Sequence, residues 1–424
     1  MKKEKRLGSI ERSRNVPQLR FPEFKGEWEE KRLGNITKKV GSGSTPKGGV
    51  KVYTDSGIPF IRSQNVYDNQ LQLDEIHIPL TIHRKMANSK VLPNDVLLNI
   101  TGGSIGRSCV VPSNFKEGNV NQHVAIIRLK NNNSQHFLQA ILASSHGQKL
   151  IYQGMTGSGR EGLNFQSIRA FKIAFPSFDE QQKIANFLTA IDRRLQGLEK
   201  KKRLLEAYKK GVMQRLFSQE IRFKPALSKA EVNENESEFP NWEKKKFGDF
   251  LSIPEKIIPD TIDKSKILTV RLHLKGVFVN DRTESLKIGA TRYIKRRKGQ
   301  FIYGKQNLFN GAFGIVPKKL DGYVSSADIP TLDINTDVIN RYYFYYYLSR
   351  TSYYKRLENI SIGSGSKRIH ENTLLKLKIK LPCIEEQTKI ANFLSAIDRK
   401  IDFVGVQIEK TTEYKKGLLQ QLFV

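Results

Sequence analysis

The last 43 residues of this chain repeat an earlier stretch. Pro176 to Phe217 reads PSFDEQQKIANFLTAIDRRLQGLEKKKRLLEAYKKGVMQRLF, and 206 positions later Pro382 onward reads PCIEEQTKIANFLSAIDRKIDFVGVQIEKTTEYKKGLLQQLFV, with no gap. A core, EQxKIANFL(T/S)AIDR, and a tail, YKKGxxQxLF, are kept in both copies. Chance similarity of two helices does not reach that level, so the chain carries an internal duplication. In the first copy Ile184, Leu188, Ile191, Leu195, Leu198, Leu205, Val212 and Leu216 fall on steps of four and three, interrupted by Lys202 and Lys209. In the second, Ile390, Leu394, Ile397, Ile401, Val404, Ile408, Leu418 and Leu422 keep the register, interrupted by Thr411 and Lys415. This is the period of a coiled-coil seam about five heptads long. Neither helix can bury so narrow a stripe on itself. The helices either enter the cores of two separate domains or pair as one rod, roughly 50 Å long at about 1.5 Å per residue. Pairing is the reading adopted, antiparallel because each copy closes its own half of the chain. Ser177 with Glu180 predicts a capping box for the first copy; Cys383 with Glu386 is a weaker start.

Composition narrows the partners. With 424 residues the chain has enough length for two or more cores, and its net charge of +30 makes a polyanion the first partner to consider. Nucleic acid is preferred to a membrane surface. No run of 18 apolar residues would span a bilayer, and the basic MKKEKRLGSIERSRN lacks the apolar stretch of a secretory signal. Cys109 and Cys383 are the only cysteines, too few for a disulfide framework or zinc cluster, which fits a reducing cytoplasm.

The organisation follows from the repeat. Residues 1–16 read as a disordered basic tail, 17–175 as a first domain, 176–223 as the first helical region, 224–241 as a linker, 242–380 as a second domain and 381–424 as the second helical region. FPEFKGEWEEKRLGNI and EFPNWEKKKFGDF open the two domains, pairing Trp28 with Trp242 and Gly34 with Gly248. Short strands are expected in GIPFIRSQNV, DVLLNI, SCVVP and HVAIIRL, then a helix from about 136 to 152. The second block offers KILTVRLHL, GVFVND, QFIYG and FGIVP, then a Tyr-rich helix from about 338 to 357. Gly157 to Gly159 and Gly363 to Gly365 match at the same offset. The predicted fold class is mixed α/β: two similar domains, each followed by a long helix, the helices pairing with pseudo-two-fold symmetry.

Catalytic constellations are missing from the sequence. There is no GxxxxGK(S/T) loop, no GxGxxG opening a helix after a strand, and no Asn or Asp before Pro-Pro-Tyr or Pro-Pro-Phe. The seven histidines show no metal spacing. Binding remains. Side chains able to read bases, on loops beside glycine, are Arg62, Gln64, Asn65, Asn99, Thr101, Asn121, Gln122 and Arg160 in the first block. The second block offers Arg271, His273, Lys275, Asn307, Asn310, Lys367, Arg368 and Asn372. Arg296 and Arg297, within RYIKRRK, suit phosphate contacts.

The duplicated helix segments, each following a variable domain opened by a WExxxxG(N/D) segment, resemble the conserved regions of type I restriction-modification specificity subunits. The resemblance covers the chain past residue 16 and is strongest in the helices. It implies a non-catalytic DNA-recognition subunit whose two domains each read one half of an asymmetric site. The helical rod would set the spacer and dock two methyltransferase subunits along Ile184, Leu188, Ile191, Leu195, Leu198 and Leu205 and their second-copy partners Ile390, Leu394, Ile397, Ile401, Val404 and Ile408. No cofactor or metal is expected on this chain; S-adenosylmethionine, ATP and Mg would belong to the methyltransferase and restriction subunits. Where some relatives close a circular arrangement with a further C-terminal segment, residues 1 to about 35 would serve here. The rival readings are a self-sufficient DNA-modifying enzyme and a coiled-coil protein binding nucleic acid without sequence preference.

Overall fold

The computed structural model describes residues 15–67, 69–156, 162–225, 238–281, 289, 291–363 and 367–424. It divides into two compact units, one running to Glu199 and including Val406–Val424, the other spanning Lys200–Gly405. Each unit therefore holds one domain and a part of both repeat helices, Phe178–Phe217 and Ile384–Gln421.

In the first unit an antiparallel sheet runs Thr37–Ser42, Val124–Leu129, Val96–Asn99, Ser108–Val110 across its width. The DVLLNI run forms its centre because all four strand residues are buried. Side-chain alternation sends Val96, Leu98 and Ile127 to one core and Leu97 and Ile126 to another on the opposite face. A second sheet orders His77–Ile78, Ile58–Ile61, Gly118–Val120 and Lys90–Val91. The helix expected over 136–152 is two, Gln135–Ala143 and Ser145–Gly154. Ser144 interrupts it: its backbone is extended and its Oγ accepts the Gly147 N–H, so it caps the second segment.

The second unit repeats the plan. Leu251–Ser252, Thr331–Ile334, Phe301–Tyr303 and Phe313–Ile315 again place the first strand, then the fourth, second and third, side by side. The Tyr-rich segment divides into Arg341–Leu348 and Thr351–Arg356. Arg350 lies at the break, its guanidinium over the Tyr347 and Phe217 rings at 4.2 and 4.7 Å.

Within each unit the helices run antiparallel. In the first, Ile184, Leu188 and Ile191 are buried in one core with Leu418 and Leu422, and Lys415 bonds Asp192. In the second, Ile390, Leu394 and Ile397 share a core with Met213 and Leu216, Lys209 bonds Asp398, and Lys202 Nζ lies 4.0 Å from where a side chain at Gly405 would begin. Rising numbers on one helix thus meet falling numbers on the other. The seam is deepest beneath the domains. Val404 is also buried, whereas Leu195, Leu198, Leu205, Ile401 and Ile408 are half-buried.

The helix N-termini also anchor the domains. The Ser177–Glu180 capping box is only half made: the Glu180 N–H reaches Ser177 Oγ at 3.4 Å, but the carboxylate turns away. It accepts Arg20 Nε and Nη2 at 2.7 and 2.8 Å and Trp28 Nε1 at 3.3 Å. That hydrogen bonding raises the Arg20 guanidinium above its ordinary value despite the opposing effect of burial. Glu386 does the same with Arg222 and Trp242. The next residue, Gln181, accepts the Ser134 N–H and donates to the Pro176 carbonyl; Gln387 repeats this with Asn340 and Pro382. Ser134 and Asn340 cap the domain helices, so the kept Glu-Gln pair fixes both the start of each domain and its main helix.

Candidate nucleic-acid interface

In the first domain, loops at the ends of the central strands bring Thr101, Gln122 and His123 together with Thr45. The Thr45 hydroxyl donates to Gln122 Oε1 at 2.8 Å, which turns the Gln122 amide nitrogen toward His123 Nε2, 3.2 Å away. With Nε2 accepting, the proton sits on Nδ1 and points at Thr101 Oγ1, 2.5 Å away. The Thr101 hydroxyl proton is then free to donate outward. Thr101, Gly102, Gly103 and His123 line an open cleft together with Ile151 and Tyr152, the latter 74 % exposed. Polar side chains sharing a cleft with an exposed ring suit hydrogen bonding and stacking with nucleobases. Thr45 and Tyr152 carry no sequence signal linking them to Gln122; only the fold does so.

Arg62 and Gln64 form a second cluster. Their Nη2 and Nε2 atoms reach the same Asp74 oxygen, at 2.6 and 2.9 Å. Burial works against the Asp74 charge, yet hydrogen bonds from Asn65, Arg62, the Ile76 N–H and Gln64 outweigh it and hold the carboxyl below its ordinary value. Arg62 is thereby partly committed within the protein, while Gln64 remains exposed.

The second domain assembles Arg271, His273, Lys275, Asn307 and Asn310 at one hairpin. Strands Leu268–Arg271 and Gly276–Val279 are joined by a turn in which His273 and Leu274 both have positive φ, 58° and 59°. Asn-Gly would suit that geometry; His-Leu adopts it under strain. Bonds from the two turn N–H groups to the Asn310 and Gly311 carbonyls, both 2.9 Å, hold it in place. Gly311 itself has φ +76°, and a Cβ there would sit 3.1 Å from Leu274 N, so a side chain would both strain the backbone and crowd the turn where the loops meet. Asn310 Nδ2 donates to Asn307 Oδ1 at 3.1 Å. His273 and Lys275 are exposed, and Arg271 lies over the Phe278 ring at 4.3 Å with Asp281 beside it. Elsewhere, Arg297 pairs with Asp333, Lys367 with Glu358 and Arg368 with Asp328. Asn372 is exposed on Glu371–Leu375.

Four expected contact residues are structural instead. Arg296 is 3 % exposed and spends its guanidinium on Ser325 Oγ, Thr331 Oγ1 and the Ser326 and Ile329 carbonyls; burial lowers it to about 10. Asn65 is buried, accepting the Arg62 N–H and donating to the Gln72 carbonyl. Asn99 is fully buried and donates to the Ser63 carbonyl and Ser104 Oγ. Asn121 is buried and accepts the His123 N–H. Polar side chains next to tight turns are often consumed by the turn itself, and sequence does not separate that use from ligand contact. Arg160 and the Gly157 and Gly363 loop match lie wholly or partly outside the described residues.

Among the described residues no group of His, Cys, Asp and Glu is placed to hold a metal, and no helix is long and apolar enough to cross a membrane. The fold and its surfaces define a duplicated binding chain, with two unlike faces on one repeated scaffold. The family model for the type I restriction modification DNA specificity domain matches twice, over residues 25–207 and 240–413. The chain therefore belongs to the type I restriction-modification specificity-subunit family. It is 21 % identical to the type I restriction enzyme MjaVIII specificity subunit of Methanocaldococcus jannaschii, over 95 % of this chain and 93 % of the relative. The MjaX counterpart from the same organism is 22 % identical, with 96 % and 95 % covered. In three dimensions it resembles the crystal structure of the type I restriction-modification S subunit from M. genitalium, with a TM-score of 0.61 at 14 % identity, covering 96 % of this chain and 99 % of the other.

Proposed function

We propose that this chain is the non-catalytic DNA-recognition subunit of a type I restriction-modification complex and reads a two-part, asymmetric site, one half per domain. The observation that carries this reading is a contrast within the duplication. The anchors that hold the domains are repeated residue for residue at Glu180 and Glu386, Gln181 and Gln387, while the exposed clusters differ in chemistry. One presents Thr101, Gln122, His123 and Tyr152; the other presents Arg271, His273, Lys275 and Asn307. Two unlike readers on like mounts suit two unlike half-sites, and the +30 charge supplies affinity for phosphates. On this reading two methyltransferase subunits bring S-adenosylmethionine, and restriction subunits bring ATP and Mg.

The test is to express the chain with its modification subunit in a methylation-free host and map modified adenines. A two-part motif with a fixed gap supports the reading. A complex that binds every duplex equally, with the same steep salt dependence, would instead make it a nonspecific nucleic-acid binder.

A further inference from the structure

Leu268–Arg271 and Gly276–Val279 in the second domain form a two-stranded ribbon. Alternation sorts its side chains onto two faces. Leu268, Val270, Val277 and Val279 turn inward to a core with Ile302, Val316 and Leu320, which leaves Thr269, Arg271 and Phe278 on the other face. In the ladder Arg271 lies opposite Gly276, and Thr269 lies opposite Phe278. Gly276 has no side chain to occupy the space across from Arg271, so the guanidinium leans along the diagonal and lies over Phe278, 4.3 Å from the ring centre. Asp281, just past the ribbon, accepts Nη2 at 3.2 Å. The turn at the tip is held by the Asn310 and Gly311 carbonyls, which fixes this end of the ribbon on the domain.

Stability does not account for these contacts. The Arg271 and Asp281 side chains are 43 % and 73 % exposed and Phe278 is 39 % exposed, and a charge pair so open to water adds little to folding. What the ring and the carboxylate do is restrict where the guanidinium points. A phosphate contact needs no such restriction, and the negative charge of Asp281 works against a phosphate neighbour. A base edge does need it. The major groove admits a two-stranded ribbon, and there guanine presents two neighbouring acceptors, N7 and O6. Adenine sets an amino donor beside its N7, cytosine offers an amino donor, and thymine sets a methyl group beside its one acceptor. The guanidinium has donors only, in a planar fork that meets both guanine acceptors at once. In the minor groove guanine adds a donor instead, which the same fork could not use.

We propose that Arg271 reads a guanine in the major groove of the second domain's half-site, and that Phe278 and Asp281 are its positioning residues. This rests on the specificity-subunit reading and goes beyond it by naming the groove, the base and the side chain that selects it.

The test uses the full chain with its modification subunit, a library of randomised DNA duplexes sequenced after binding, and the salt dependence of affinity. Wild type should select a two-part motif. Arg271→Ala should lower the preference for guanine at one position of one half by about tenfold and leave the other half and the salt dependence as they were. Arg271→Gln should turn that preference toward adenine, whose N6 and N7 suit an amide, so the proposal stays testable even where the alanine variant fails to fold. Phe278→Ala should weaken the same preference severalfold, and Phe278→Tyr, which keeps the ring, should restore it. Asp281→Ala should weaken it too while tightening binding to every duplex, because a negative charge beside the DNA is removed. An equal loss on all duplexes for Arg271→Ala, with a salt slope shallower by about one, would make Arg271 a phosphate contact and overturn the proposal. A selected motif unchanged by both Arg271 variants, or altered at an A·T pair, would overturn it as well while leaving the specificity reading intact. A folded wild-type complex that selects no motif would remove that reading, and the proposal with it.

Discussion

Lys209 donates to Asp398 across the paired helices at 2.5 Å, and 206 residues on Lys415 makes the same bond to Asp192. Each lysine occupies a position where the seam would otherwise be apolar. A polar pair there specifies alignment more than it adds stability, because sliding either helix would strand the lysine against apolar neighbours. Asp398 also accepts the Tyr346 hydroxyl at 2.7 Å, which ties the second domain's helix to the same level.

That arrangement makes Asp398→Ala costlier than Lys209→Met. Methionine fits the seam and should shift stability by less than about 1 kcal/mol, as expected of a half-exposed pair. Alanine at 398 deprives both Lys209 and Tyr346 and should cost about 1–2 kcal/mol. Urea unfolding of the two single variants and the double variant would give the coupling directly.

Glu180 is 2 % exposed at its side chain, and Arg20 is 14 % exposed. Arg20→Ala leaves a buried carboxylate with, among the described residues, only Trp28 Nε1 as a side-chain partner and should destabilise the first unit by about 3 kcal/mol. Glu180→Gln removes the charge and should cost less. Arg222→Ala tests the same relation at Glu386, and denaturant midpoints rank all three.

Arg296→Ala should lower stability by about 2–4 kcal/mol, since the buried Ser325 and Thr331 hydroxyl oxygens lose their guanidinium donor and the half-buried Ser326 and Ile329 carbonyls lose one donor each. Its DNA affinity, measured well below the melting temperature, should be unchanged. A loss of DNA binding in a fully folded variant would return Arg296 to the interface.

Gln122→Ala should relax recognition of one half-site by about 1–3 kcal/mol, roughly five- to 160-fold, and Arg271→Ala should affect only the other half. Competition binding with duplexes altered in one half at a time distinguishes this from a uniform drop, which would mark a phosphate contact.

Cys109 is fully buried, and burial pushes its thiol up to about 12; Cys383 is half-exposed. At pH 8 a thiol reagent should label Cys383 in the folded protein and reach Cys109 only after denaturation, which mass spectrometry of the labelled peptides would show.

The helices were legible in the sequence because their determinants are local and periodic: a seam of threes and fours, written twice, needs no knowledge of the domains. Runs such as DVLLNI and HVAIIRL marked strands for the same reason, since unbroken apolar residues have nowhere to go but a core. What tertiary structure decided was the use of each polar side chain. Arg296 and Arg297 are adjacent in one basic run, yet one is enclosed by Ser325 and Thr331 and the other reaches Asp333 at the surface. Gln122 gains its setting from Thr45, 77 residues earlier, and Glu180 exchanges its expected capping bond for Arg20 and Trp28, 160 and 152 residues away. Hydrophobic periodicity is set by the backbone's own geometry and so can be read along the chain. A hydrogen bond is set by whichever group lies within about 3 Å, and for residues so far apart in sequence only the folded chain determines that.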